Sequence, residues 1–318
     1  MAVPTNTFQR VSQVGVREAL EDNIYDVSPE DHLCATAIGT KKTDNTYYEW
    51  QTDALRASDA TNAMVDGDDF PNNPVTPTKR LGNHCQAFKD QVRVSGRASA
   101  ANAAGRKEEL SYQIERRMQA MKKDVEKRLL SNLAAVAPTT SVAGQFASFG
   151  ACIATNANHN GAGATPAWNS GAQTVAPTAG TPRAFTEAVL KTAIKNAYVN
   201  GATMKMLFMS PSQKQAASAF TGIAQLRKDT PAKAAATIIG AADYYVSDFG
   251  DIAFVADREC DPNTVFGIDP EYASLRVYRA MFKKKLASNG DYDGYGLIHD
   301  VTLQVNNEAA HFKIADLS

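Results

Sequence analysis

The clearest pattern of apolar positions in the chain is a helical one that begins after Gly105. Apolar residues recur every three or four positions with charged residues between them. They are Leu110, Ile114, Met118, Met121, Val125, Leu129, Leu133 and Val136. Because Pro138 is expected to end the helix, the pattern predicts about thirty residues and a length of roughly 45 Å. The Met and Leu stripe is typical of core packing rather than of a ligand-binding face.

The region before this helix has a β pattern. Thr46–Thr52 is rich in aromatic and β-branched residues, and a return strand is predicted at Asn83–Val94. Turn-forming residues crowd 66–74 between them. The sequence therefore predicts a long two-stranded finger, which needs another surface to pack on because an isolated two-stranded ribbon is marginal in water. The preceding residues predict an extended arm, with a short helix starting at Ser28.

The second half of the chain predicts alternating helices and strands. The expected helices lie at Thr186–Tyr198, ended by Gly201, and at Gln213–Phe220. The expected strands are Met204–Met209, then Tyr244–Asp248 and Ile252–Val255 joined as a tight hairpin, then an alternating tail over Gly296–Ala315. Strands, a long helix and then a mixed region place the chain in the α+β class.

The stretch from Leu129 to Pro182 contains no Asp, Glu, Lys or Arg. Its low-complexity composition favours disorder, but disordered segments normally carry high charge. Two interpretations therefore stay open, a flexible linker or a loop packed against neighbouring subunits.

Composition and charge exclude some classes of protein. The 318 residues have a net charge of −1, which argues against nucleic acid as the main partner, since counterion release needs a basic surface. A mean hydropathy of −0.32 and the lack of a long apolar run argue against an integral membrane protein, and no signal peptide is expected. The four cysteines, Cys34, Cys85, Cys152 and Cys260, are too scattered for a zinc ribbon or redox dithiol and are expected to be buried free thiols in a reducing compartment.

No motif for catalysis, cofactor binding or metal binding emerges. Nucleotide-binding glycine loops, HExxH and GxSxG are missing, and the five histidines lack the spacing of metal ligands. His84-Cys85 and His299-Asp300 make poor dyads, because adjacent strand residues point to opposite faces. The acidic cluster at 66–69 has Pro77 where a calcium loop needs its closing Glu. The sequence thus predicts no catalytic residue, no cofactor, no metal and no enzymatic activity.

The order of the segments and several short strings resemble the major capsid (major head) proteins of tailed bacteriophages. The strings, in chain order, are Tyr48–Asp53, Val94–Gly96, Gly105-Arg106, Glu109–Gln113, Asp124–Glu126, Leu129–Asn132, Ala147–Ile153, Arg183, Phe185–Glu187, Phe220–Gly222, Val246–Gly250 and Asn307–His311. Each is weak alone, but their common order is fairly specific. The resemblance implies the tailed-phage major capsid fold, which is shared with the capsid floors of herpesviruses.

That fold implies a division of the chain into five regions. They are an N-terminal arm at 1–42, an extended loop (the β-hairpin finger) at 43–95, a spine helix and peripheral domain at 96–198 with the charge-free insertion at about 139–182, an axial domain at 199–278, and C-terminal strands at 279–318 that return to the peripheral domain. The finger is expected to lie over a neighbouring subunit. The assembly candidates are Trp50 and Phe70 in the finger and Phe249 in the axial domain.

The implied function is a structural one. The resemblance implies a subunit that self-assembles into pentamers and hexamers of an icosahedral shell enclosing double-stranded DNA without sequence-specific binding, with no membrane contact. Scaffolding, portal and decoration proteins are the implied partners, and the virion, with the host cytoplasm during assembly, is the implied location. An encapsulin-like compartment shell is the first alternative, and a cytosolic α+β enzyme or binding protein is the second.

Overall fold

Three β-sheets organise the chain in a computed structural model, which describes residues 32–53, 55–67, 75, 77–101, 108–169, 171–220 and 244–318. The helices in these ranges are α1 (Leu33–Ile38), α2 (Gly96–Ala100), α3 (Glu109–Leu129), α4 (Phe149–Cys152), α5 (Glu187–Val199) and α6 (Pro211–Ser218). The strands are β1 (Thr40–Lys42), β2 (Tyr47–Thr52), β3 (Lys79–His84), β4 (Gln86–Ser95), β5 (Ala157–Asn158), β6 (Ala167–Asn169), β7 (Ala172–Val175), β8 (Met206–Met209), β9 (Tyr244–Ser247), β10 (Gly250–Ala256), β11 (Val265–Ile268), β12 (Ala273–Lys285), β13 (Tyr292–Val305) and β14 (Phe312–Ile314). The mixture agrees with the predicted α+β class.

The first sheet, which we call the spine sheet, has the strand order β1-β12-β13-β4. The strands β12, β13 and β4 pair antiparallel, while the short β1 runs parallel to β12. The helix α3 packs on one face of this sheet, where its Ile114 and Met121 join Val92, Val94 and Leu297 in a buried apolar cluster. The spine sheet and α3 therefore form the unit that the sequence predicts around its long helix.

The helix α3 is shorter than predicted. It ends at Leu129, and its 21 residues span about 31 Å. The reason lies at Arg128, whose buried guanidinium donates hydrogen bonds to the carbonyls of Ala134 and Phe146, so that the chain turns back at once. Leu133, predicted to continue the apolar stripe, is instead about half exposed beyond the helix. The predicted start at Gly105 lies outside the described residues.

The second sheet, the six-stranded sheet, has the order β5-β14-β11-β8-β10-β9. The strands β8 and β10 are parallel, and α6 lies in the connection between them. The helices α5 and α6 contribute to its apolar core, with Leu190 and Ala217 fully buried beside Leu207 and Phe312. The expected helix ended by Gly201 and the tight hairpin β9–β10 are both confirmed.

The third sheet, the finger sheet, has the order β2-β3-β7-β6. The predicted return strand Asn83–Val94 is wrong as one element, because the chain changes sheets at Cys85. The strand β3 before Cys85 pairs with β2, and β4 after it pairs with β13. The finger also has four strands rather than two, since β7 pairs with β3 at Gly82 and Ala172.

Part of the charge-free stretch from Leu129 to Pro182 is buried in the fold of the subunit. Residues 146–153 are all buried, and the Asn83 side chain bonds both the N–H and the carbonyl of Ala147. Its strands β6 and β7 complete the finger sheet. The buried part of the stretch therefore packs on its own chain and is not a flexible linker, while packing against neighbouring subunits stays a prediction.

Three elements pair or pack across the predicted division of the chain. The last strand, β14, lies between β5 and β11 in the six-stranded sheet and does not return to the spine sheet as expected for 279–318. The helix α5 packs with the six-stranded sheet rather than with the peripheral unit at 96–198. The strand β12 begins at Ala273, before the predicted boundary at 278. These differences arise from pairings between residues far apart in sequence.

The cysteines are free thiols, and Cys34, Cys152 and Cys260 are buried, while Cys85 is half-buried. None of the described helices is long and apolar enough to cross a membrane.

We expect Arg128→Met to lower the free energy of unfolding by about 3 kcal/mol, because two buried carbonyls would lose a charged donor. Urea unfolding followed by circular dichroism measures the change. Lys122→Met, at an exposed position of the same helix, is the matched control and should stay within about 0.5 kcal/mol of wild type. Equal midpoints for the two variants would contradict the role given to Arg128.

Candidate functional site

The three assembly candidates from the sequence do not form one site. Trp50 lies on β2 of the finger sheet with only 9% of its surface exposed. Phe249 lies in the turn of the β9–β10 hairpin of the six-stranded sheet, at 37% exposure. Phe70 lies outside the described residues. Trp50 is therefore a packing residue of the finger, and Phe249 is the candidate that a partner can touch.

The distal finger, which we define as residues 55–67 together with Val75, is exposed throughout. Its apolar side chains are among the most exposed in the molecule, and Leu55 and Val75 are 100% and 93% exposed. Met64 and Val65 are also mostly in solvent. Clustered exposed apolar side chains mark interaction surfaces in soluble proteins. The distal finger is thus a candidate contact surface.

A second apolar surface lies at the β9–β10 hairpin. The rings of Phe249 and Tyr198, the latter near the end of α5, are 4.6 Å apart between centroids and both partly exposed. Tyr244 and Val246 project from β9, which is the edge strand of the six-stranded sheet among the described residues, and each is more than two-thirds exposed. A groove of about 370 Å³ runs between this strand and α5. An edge strand offers unpaired backbone groups to another chain, so the hairpin is a candidate contact as well.

The root of the N-terminal arm is fixed by a buried carboxylate. Glu126 of α3 is fully buried and accepts hydrogen bonds from the backbone N–H groups of Cys34 and Ala35, at 2.6 and 3.0 Å, in the first turn of α1. Burial, and then a hydrogen bond with the buried Asp257, raise the pKa of Glu126 to about 8. The protonation of this carboxyl therefore affects how the arm joins the body.

The other polar clusters in the described residues anchor the backbone. His159 Nδ1 lies 3.2 Å from Asp316 Oδ2, and both side chains are buried. Asp316 also accepts the N–H groups of Asn160 and Gly180, which ties the end of the chain to the insertion. Lys313 is fully buried and donates from Nζ to the carbonyl of Gly150. No group of three or more metal-ligating side chains occurs within the described ranges.

Sequence reasoning missed several of these residues. Glu126 and Asp257 are 131 positions apart in the sequence, so only the fold brings their side chains together. Tyr198 is the last residue of the predicted helix Thr186–Tyr198, and no local signal distinguishes it from a core residue. The alternation of Tyr244 and Val246 predicted a strand, but only the sheet order identifies that strand as an edge.

Comparisons with known proteins agree with one another. A sequence model of the family described as SU10 major capsid protein matches residues 3–318. The major capsid protein of Escherichia phage Phieco32 is 36% identical over 134 residues, which is 42% of this chain; the match spans only 38% of that protein.

Solved structures share the fold along nearly the whole chain. The Cyanophage A-1(L) capsid has a TM-score of 0.69 at 10% identity, covering 98% of this chain and 99% of the other. An encapsulin of Synechococcus elongatus, solved as the holo-SrpI complex, has a lower TM-score of 0.51 at 12% identity, covering 93% and 92%. The fold is therefore the tailed-phage capsid fold, as predicted, and it extends to encapsulins.

We expect the free energy of unfolding to fall as the pH rises from about 4.5 to about 8. The folded chain holds a proton on Glu126 up to a pKa of about 8, whereas the unfolded chain releases it near the ordinary value of about 4.3. The folded state thus binds more protons across this window, and its stability decreases with pH.

The matched pair for this measurement is Glu126→Gln and Glu115→Gln, the latter exposed on the same helix. Urea midpoints at pH 5 and pH 8 should differ less in Glu126→Gln than in wild type, and equally in Glu115→Gln and wild type. A full wild-type difference in Glu126→Gln would overturn the assignment.

We expect Trp50→Ala to impair assembly more than folding, because Trp50 packs within the finger sheet and belongs to none of the three buried apolar clusters of the subunit body, so its loss disturbs the finger rather than that body. Particle yield should fall about tenfold, which corresponds to about 1.4 kcal/mol, while the amount of soluble subunit changes little. Gln51→Ala on the same strand is the control. Equal losses of particles and of soluble subunit in Trp50→Ala would contradict the expectation.

Proposed function

The chain belongs to the SU10 major capsid protein family, and from this we propose that it is the subunit from which a tailed phage builds its icosahedral shell. The observation that carries the proposal is the family match over residues 3–318. The exposed finger supports it, since a subunit with apolar side chains fully in solvent gains stability by burying them against neighbours.

We propose that the copies meet in pentamers and hexamers, with the β9–β10 hairpin of each near the centre. The exposed ring pair of Tyr198 and Phe249 and the edge strand β9 support this placement. In this arrangement the six-stranded sheet is the axial domain, the spine sheet with α3 is the peripheral domain, and the finger lies over a neighbouring subunit.

The role that we propose is structural, without catalysis, a cofactor or a metal. The shell encloses double-stranded DNA without reading its sequence, and a net charge of −1 suits a container that does not need to bind its contents tightly. Scaffolding, portal and decoration proteins are its proposed partners. The proposed location is the virion, and the host cytoplasm during assembly.

An encapsulin-like shell is the alternative that shares the fold. The lower similarity to the encapsulin and the family match to capsid proteins both favour the phage shell.

Sedimentation and negative-stain imaging test the proposal. We expect wild-type protein, produced with its scaffolding partner, to form particles in the megadalton range. Phe249→Asp should leave a soluble folded subunit but reduce particles at least about tenfold, since a charge at a buried contact costs more than about 1.4 kcal/mol.

Val142→Asp is the matched control, because Val142 is an exposed apolar residue, at 45%, in the turn that follows Thr139 and not in the hairpin. It should assemble like wild type. A wild-type protein that stays a stable monomer under these conditions would contradict the proposed function. Normal particles from Phe249→Asp would contradict only the position of the hairpin.

A further inference from the structure

Three asparagines in the chain are followed directly by a glycine, namely Asn160, Asn200 and Asn289. In such a pair the backbone nitrogen of the glycine can attack the asparagine side chain, because glycine has no Cβ to obstruct the approach and leaves the backbone free to rotate. The product is a deamidated residue. Whether a pair reacts in a folded protein depends on how firmly the fold holds the side chain and the backbone, and the three pairs differ in this respect.

Asn160 is held on several sides. Its Nδ2 donates to the carbonyl of Thr181 at 2.8 Å, and its backbone N–H donates to the carboxylate of Asp316 at 2.9 Å. Its own carbonyl accepts the N–H of Thr181 at 3.1 Å. Turning the nitrogen of Gly161 toward the side chain would turn this carbonyl as well, since both belong to one planar peptide unit. Reaction at Asn160 therefore breaks at least two hydrogen bonds.

Asn200 is held at the end of α5. Its Nδ2 lies 2.6 Å from Oδ1 of Asn156, whose side chain is buried. The nitrogen that would attack, that of Gly201, already donates its hydrogen to the carbonyl of Tyr198 at 2.9 Å. Reaction at Asn200 thus also requires the loss of two hydrogen bonds.

Asn289 lies in the connection between β12 and β13, where the fold holds the pair much less. Residues 287–291 are all exposed. Among the described residues, no group forms a hydrogen bond with the Asn289 side chain or with the N–H of Gly290, although the carbonyl of Gly290 accepts the N–H of Tyr292 at 2.9 Å. Exposed side chains change rotamer within nanoseconds. Asn289 can therefore reach the reactive geometry without breaking a contact of the fold.

We propose that Asn289 is a site of spontaneous deamidation in the folded protein. The nitrogen of Gly290 gives its proton to water or hydroxide and attacks Cγ of Asn289. The N–Cγ bond forms, the Cγ–Nδ2 bond breaks, and the amide nitrogen takes up a proton and leaves as ammonia. Water then opens the cyclic imide at one of its two carbonyls, which gives aspartate or isoaspartate. Water is the only co-reactant, and nothing is oxidised or reduced.

The reaction adds a negative charge to a hairpin that is already acidic. Asp291 and Asp293 follow Asn289 closely, and Lys285 forms an ion pair with Asp293 at 3.1 Å. Each conversion adds one negative charge to a chain with a net charge of −1, and the isoaspartate product also lengthens the main chain by one methylene. Copies of different age therefore differ in charge at this hairpin. The proposal goes beyond the proposed function and does not depend on it.

Peptide mapping by mass spectrometry tests the proposal on the full-length protein. Samples are aged at neutral and at mildly alkaline pH and are then digested with pepsin at acidic pH, where the glycine nitrogen keeps its proton and digestion adds no signal. The deamidated fraction is measured at all three Asn-Gly pairs. Protein denatured in guanidinium chloride is aged in parallel, because denaturation removes the hydrogen bonds that distinguish the pairs.

We expect Asn289 of the folded protein to react at least about tenfold faster than Asn160 and Asn200, which corresponds to about 1.4 kcal/mol of activation free energy. The rate at Asn289 should rise with pH, since the attacking nitrogen must first lose its proton. In the denatured chain the three rates should agree within about threefold.

Gly290→Ala is the most informative variant, because it keeps the asparagine and adds one methyl group. The fold accommodates this methyl group, since a Cβ at position 290 would meet only the ring of Tyr292, at 3.6 Å. The rate at Asn289 should fall at least about tenfold, without a change at Asn160 or Asn200. Ser288→Ala, which leaves the Asn-Gly pair intact, is the control and should react like wild type.

Three results would overturn the proposal. They are equal rates at the three pairs of the folded protein, an Asn289 that stays intact in the folded protein while the denatured chain reacts, and a wild-type rate in Gly290→Ala. None of them affects the proposed function, which is tested by the formation of particles.

Discussion

The pairing of buried backbone groups at the end of α3 is the constraint on which most of the structure depends. Backbone N–H and carbonyl groups removed from water must find partners. Glu126 accepts the N–H groups at the start of α1, and Arg128 donates to the carbonyls of Ala134 and Phe146. One turn of helix therefore holds the arm on one side and the charge-free stretch on the other.

The charge-free stretch has no charged side chain of its own to pair with its buried carbonyls. It therefore depends on Arg128 at the end of α3. Its buried part is satisfied by polar groups from elsewhere in the chain, including Asn83 at the base of the finger and Lys313 of β14. The finger sheet, the spine sheet and the six-stranded sheet meet through these contacts. Buried polar side chains of the subunit thus hold its extended segments together. The apolar side chains of the distal finger and of the β9–β10 hairpin stay exposed.

Sequence patterns predicted well those elements that depend only on residues close together in the chain. The helix α5, the strand β8 and the hairpin β9–β10 follow from apolar periodicity and turn residues within a few positions. The length of α3 did not follow, because its end is set by carbonyls that return to Arg128 from a later segment. The sequence also did not show that the predicted strand Asn83–Val94 divides at Cys85. Its apolar and polar residues alternate without a break, although its two parts pair in different sheets.

The position of β14 has a consequence for the order of folding. This strand lies inside the six-stranded sheet, between β5 and β11, although it follows them both in the chain. The sheet that carries the β9–β10 hairpin therefore stays open until residues 312–314 have been synthesised. The sheet as a whole is thus completed only after the ribosome has produced almost all of the described chain, although the β9–β10 hairpin itself pairs locally.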